Sequence, residues 1–360
     1  MNTSCSTEAA GLAGPPAFTL VEVLLSVTIL SVIMVSTTLM LDSSLTQMRI
    51  AESRLGQFRE AQAAFEAMTL RLAGCDINPY YDFEYQNQNR DTVPVSYELQ
   101  SDLHFVSGPA RSGYQPLFTA GPYSGHGIFF HGTYGLTEEA SWKGMGNLLN
   151  SWGYFVEFGD DKASRATFLN ALGTTADRNR FRLKELQVPA EKMGTYNAKL
   201  GTESTTGKIF AWFRDAVAQP GQVSSVAENI VALVITPLLP PDSKDVHGTF
   251  LSPNALAPSY YYDTRNYQHA KTPEEKATRH RLPPLLRLTL VAIDEASAER
   301  LEERYGEIKP DFGLDSLFQN AINYDEDVRT LESALLNEKL SYRVFTTTVR
   351  LRNARWTGTY

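Results

Sequence analysis

One carboxylate in this chain sits where a charge is expensive. Glu22 lies four residues inside the apolar stretch Phe18 to Leu41, FTLVEVLLSVTILSVIMVSTTLML, and the 19 residues from Val23 to Leu41 carry no formal charge. The nearest Lys or Arg is Arg49, 27 positions further on, which is about 40 Å along a helix. No side chain of the same segment can neutralise the acid. A carboxylate in a low-dielectric surrounding needs a positive partner, so Glu22 either snorkels to an interface or meets a cation brought from elsewhere.

The other candidates for chemistry are weaker. Asp160 and Asp161, in EFGDDKAS, offer clustered carboxylate oxygens of the kind calcium takes, although adjacent acids after a strand also make a solvated turn. Tyr260, Tyr261 and Tyr262 sit in a Pro-rich loop and could form a contact surface for polypeptide or glycan, or pack inward. Trp142 and Trp152 with Tyr154 raise the same choice, and for Trp152 and Tyr154 core packing fits better. The histidines, His104, His126, His131, His247, His269 and His280, show no ligand spacing and read as surface or hydrogen-bonded groups. The Gly201 to Lys208 run, GTESTTGK, has five residues between its glycines and Ile209 after the Lys, so it reads as a loop and not as a phosphate cradle.

No HExxH, GxSxG, CxxC or SxxK pattern occurs in a supporting context, and the expectation is a protein that is not an enzyme and holds no cofactor. The two cysteines, Cys5 and Cys75, cannot make a Cys-type metal site. A formal charge of −8 argues against a nucleic-acid partner.

These residues must be positioned by a small set of elements. The charge-free run is about 28 Å long as a helix, close to the roughly 30 Å hydrocarbon thickness of a bilayer. The helical pattern then continues: Leu41, Leu45, Met48, Leu55, Phe58, Gln62, Phe65, Met68 and Leu72 recur at three-, four- and seven-residue spacings with charges between them. One helix from Phe18 to Ala73 would run about 84 Å, with Gly74 and Pro79 stopping it. Residues 76–126 read as irregular, with one strand near Asp102 to Val106. Strands are expected at Gly127 to His131, Tyr154 to Phe158, Phe181 to Val188, Lys208 to Arg214, Ile230 to Thr236, Leu285 to Ile293 and Arg343 to Arg352. Two insertions interrupt them, a polar excursion over 237–284 and a largely helical one over 294–340. The fold class is α+β, an antiparallel sheet packed on the long helix.

The segment AFTLVEVLLS resembles the processing signal of type IV prepilins and type II secretion pseudopilins. The resemblance implies a leader over residues 1–17, a cut between Ala17 and Phe18, N-methylation of Phe18, and Glu22 as the assembly carboxylate that pairs with a terminal amine. It also implies a transmembrane assembly helix over 18–41, an amphipathic continuation over 42–75 and an extracytoplasmic, periplasmic α+β head over 76–360, the lollipop form of a pilin held as a single-pass protein of the inner membrane. The family mostly has Gly where this chain has Ala17, and the leader holds no Lys or Arg, so the usual positive flank is missing. Late segments, LPPLLRLTLVAIDE and RVFTTTVRLRNARW, resemble the larger minor pseudopilins of the J class. YFVEFGDD and FRLKELQVPAEKMGTYN are more similar to the C member of Verru_Chthon cassettes. The implied partners are the prepilin peptidase and methylase, other pilin-like subunits and the membrane. A surface binding protein that uses the prepilin route without polymerising is the alternative, its head recognising a substrate protein or glycan.

Overall fold

The computed structural model describes residues 19–85, 91–162, 165, 177–195, 209–240, 256–265 and 278–355. Ala17 and Phe18 lie outside the described residues. The chain divides into two compact units, residues 1–53 and 54–360. One helix, α1 (Leu20–Ala73), begins in the first and ends in the second.

In the first unit the apolar side chains are exposed all round the helix, from Leu20 at 78% to Met40 at 74%. Leu20–Arg49 is long and apolar enough to cross a membrane. Several of its hydroxyl side chains bond within the helix: Ser26, Ser31 and Thr38 each donate to the carbonyl four residues back, at 2.7 Å. Bonds of that kind leave no polar atom asking for water, which suits an apolar surrounding.

In the second unit the last turns of α1 bury one stripe, Ala61, Phe65, Met68 and Leu72, at spacings of four, three and four. Gly74 follows the last helical residue, its N–H donating back to Arg71 O at 3.0 Å. Then come β1 (Cys75–Asp76), β2 (Pro79–Tyr85), β3 (Pro94–Ser101), β4 (Val106–Pro109), β5 (Tyr123–Thr133), β6 (Leu149–Gly159), β7 (Arg180–Val188), α2 (Ala211–Val217), β8 (Val223–Glu228), β9 (Ile230–Leu238), β10 (Tyr262–Asp263), β11 (Leu285–Ile293), α3 (Glu295–Tyr305), α4 (Tyr324–Asn337) and β12 (Tyr342–Arg350). The described pairings are antiparallel. A seven-stranded sheet has the order β10-β4-β5-β6-β7-β8 with β1 on β5; a second has the order β12-β11-β9; β2 and β3 make a ribbon of their own.

The apolar run of β9 explains its place. Residues Ile230 to Pro237 are all buried, as a strand covered on both faces must be. One cover is β5, which crosses so closely that Ser124 Oγ donates to Val231 O at 2.9 Å. Gly125, at φ +65°, would put a Cβ 2.6 Å from Leu233 O. The β5–β6 register shifts between Ser124 and Ile128, so a bulge makes the bend. A large core joins the α1 stripe to β9, β11, α3 and α4. A second, aromatic core stacks Phe129 on Phe213 with ring centres 4.0 Å apart.

The α+β class holds in this mixture of helix and antiparallel sheet. Several sequence expectations need correction. Residues 76–126 are not irregular: they contain β2, β3 and β4, because the Tyr-rich stretch alternates and pairs Tyr81 with Leu99 and Phe83 with Tyr97. The expected strand from Lys208 to Arg214 is instead the helix α2, which turns Trp212, Phe213 and Ala216 into the aromatic core; Lys208 itself lies outside the described residues. β8 went unanticipated because its run VSSVAE is half polar. Within the polar 237–284 insertion, Tyr262 and Asp263 form the short strand β10 and pair with Ser107 and Val106.

Candidate functional site

Glu22 stands in the first turn of α1, in the first unit. Thr19 precedes the helix, and its Oγ1 accepts the Glu22 N–H at 3.3 Å. Thr19 and Glu22 have the spacing of a capping box, a signal that a reading centred on membrane chemistry passed over. An acid in the first turn also sits favourably against the positive end of the helix dipole. Thr19 thus caps the helix through the backbone N–H of residue 22, and nothing along the 27 residues to Arg49 offers the Glu22 carboxylate a cation.

The densest set of titratable groups lies in the second unit and is buried. His104, just before β4, places Nε2 2.6 Å from Asp263 Oδ1 on β10. The indole N–H of Trp212, on α2, donates to His104 Nδ1 at 2.9 Å. An accepting Nδ1 carries no proton, so the ring is neutral and donates from Nε2 to the Asp263 carboxylate. Burial keeps His104 neutral, holding its proton affinity below the ordinary range against the pull of Asp263. Asp263 stays below the usual carboxylate range despite its burial, held there by His104, by the Tyr261 Oη donor at 2.7 Å and by the Arg265 N–H at 2.8 Å. His131 lies beside this set, its ring 4.4 Å from that of Trp212, with Ser151 Oγ 3.0 Å from Nδ1 and Thr195 Oγ1 3.2 Å from Nε2. His104 and His131 are fully buried and Asp263 is 7% exposed. A substrate cannot reach a sealed His and Ser, so the arrangement works as a latch joining β4, β10, α2 and β5. No sequence signal could reveal it, since His104 and Asp263 are 159 positions apart.

Tyr260, Tyr261 and Tyr262 do not form the contact surface the sequence allowed. They are 0%, 8% and 2% exposed. Pairing of Tyr262 with Ser107 draws the triplet against the sheet edge, where Tyr262 Oη donates to Arg281 O at 2.8 Å and Tyr260 packs on His126 with ring centres 4.8 Å apart. Trp152 and Tyr154 are core residues, both engaged by Glu185 Oε1, at 2.7 and 2.6 Å. Asp160 lines a cleft of about 470 Å³ with Arg111, Lys162 and Lys309 and with the acids Asp177 and Glu307. Asp161 bonds Arg165 and the Arg178 N–H, and Asp160 accepts the Lys162 N–H at 3.0 Å. The Asp161 carboxylate is already held by Arg165 and the Arg178 N–H, and among the described residues no group of three metal-binding side chains occurs. Of the histidines, His126 and His280 are also buried, while His247 and His269 lie outside the described residues.

No protein-family model matches the chain, and no curated protein and no solved structure matches it.

Proposed function

We propose that this chain is a non-catalytic subunit of the pilin and pseudopilin kind. It is made as a precursor, cut between Ala17 and Phe18, and assembled through α1 into a type IV pilus or a type II secretion-like complex. The observation that supports this reading is one exposed helix stretch long and apolar enough to cross a membrane, Leu20–Arg49, whose residues Val23 to Leu41 carry no charge and whose first turn holds the acid Glu22. Such a helix calls for lipid or other apolar helices around it. In either surrounding Glu22 has no counter-ion of its own segment, and the α-amino group released at Phe18 supplies one, within the chain or on a neighbour. Paired in a low-dielectric bundle, amine and acid fix the register between subunits. The partners are the prepilin peptidase and methylase, other pilin-like subunits and the inner membrane, with the second unit on the periplasmic side. Its size suits a minor subunit at or near a filament tip.

Glu22→Leu should leave processing and membrane insertion intact and abolish co-purification with pilin-like subunits. Normal incorporation would remove Glu22 from the mechanism. The place of Glu22 in the first turn favours a second reading, a tethered binding protein that never polymerises, because the positive end of the helix dipole gives the carboxylate a local task. Under that reading the same substitution changes only the start of the helix.

A further inference from the structure

The strand β12 is an outer strand, and among the described residues its second edge pairs with no other. Beside it lies a groove of about 760 Å³, with Thr347, Arg350 and Arg352 on one wall and Glu66 and Leu70 of α1 on the other. Leu70 is 70% exposed. Arg343, Arg350, Arg352 and Arg355 are exposed, and among the described residues no carboxylate pairs with any of them. Elsewhere Arg178, Arg180, Arg182 and Arg304 each hold an acid. An open strand edge, cations without a carboxylate partner and one exposed apolar side chain, Leu70, together fit an extended segment bearing acids and apolar side chains.

Two copies do not meet well through β12 itself. Antiparallel pairing centred between Thr346 and Thr347 sets Arg343 opposite Arg350, and like charges facing across a ladder repel. The same chain carries the complementary strand. Among the described residues the β2–β3 ribbon pairs with no third strand, and a two-stranded ribbon is marginally stable. Tyr81 and Tyr97 are 69% and 68% exposed, an apolar surface without a cover. In sequence, residues 79–102 carry five acids against Arg90 alone, so the ribbon region is net acidic.

We propose that the β12 edge of one copy receives the β2–β3 ribbon of a second copy. The surface offered differs from the surface received, so the contact is heterologous and propagates from copy to copy instead of closing a symmetric dimer. It uses residues of the 54–360 unit alone, and it would form equally in a tethered chain that never assembles through α1.

The test mixes two differently tagged full-length chains in detergent micelles, one Tyr81→Cys and one Thr348→Cys, both in a Cys5→Ser background with Cys75 buried. A short bis-maleimide should join the two tags and should not join Thr348→Cys to itself. Arg350→Glu with Arg352→Glu in the Thr348→Cys chain should cut the yield about tenfold, with circular dichroism showing the fold kept. A self-joined Thr348→Cys product, no mixed product from folded chains, or a yield indifferent to the reversed charges would each overturn the proposal.

Discussion

Protonating the buried histidines would break what holds the second unit together at the level of single residues. Burial lowers His126 to about 4 and His280 to about 3, against an ordinary 6.5. Below 6.5 the unfolded chain therefore binds protons that the folded chain refuses. This part of the stability is complete above pH 6.5 and is lost as pH falls towards the folded values. Thermal unfolding should show a lower midpoint near pH 5 than near neutrality, and a midpoint that does not move would contradict it. At His104 the charge state is fixed by geometry, since Trp212 donates to Nδ1. His104→Phe would strand a buried carboxylate and an indole N–H together, for a loss of about 3 kcal/mol or more in chemical denaturation. His104→Gln, able to donate to Asp263, should recover part of it.

At the scale of elements, what was legible followed period and composition. The β11 bounds, Leu285 and Ile293, match the expected strand because an apolar run broken only by Arg287 and Thr289, between LPP and an acid, leaves little choice. The α1 stripe, Phe65, Met68 and Leu72, was legible from its spacing. Phe65→Ala should cost about 3–5 kcal/mol, since it empties a well-packed site facing Phe345 at 6.1 Å. The helix α2 was misread because IFAWF is a short apolar run, for which period cannot separate strand from helix. The ribbon β2–β3 was missed because its composition, Tyr with acids and a Pro, resembles loop more than strand. The crossing of β5 over β9 could not be seen either, yet it rests on one residue. Gly125→Ala should cost about 2 kcal/mol or more, combining a left-handed backbone with a clash against Leu233 O, and a neutral result would contradict the crossing described.

For the molecule as a whole, the sequence showed the apolar segment and its lone acid, because charge and length are local properties. The latch of His104 with Asp263 and the burial of the tyrosine triplet depend on contacts distant along the chain, and so remained hidden until the sheets were assembled. The account depends on the acid at position 22 meeting an amine that exists only after cleavage. Intact mass and N-terminal peptide mass spectrometry of protein extracted from cell membranes test this directly. The account predicts a chain that lacks residues 1–17 and begins at a methylated Phe18; a chain that still begins at Met1 would contradict it.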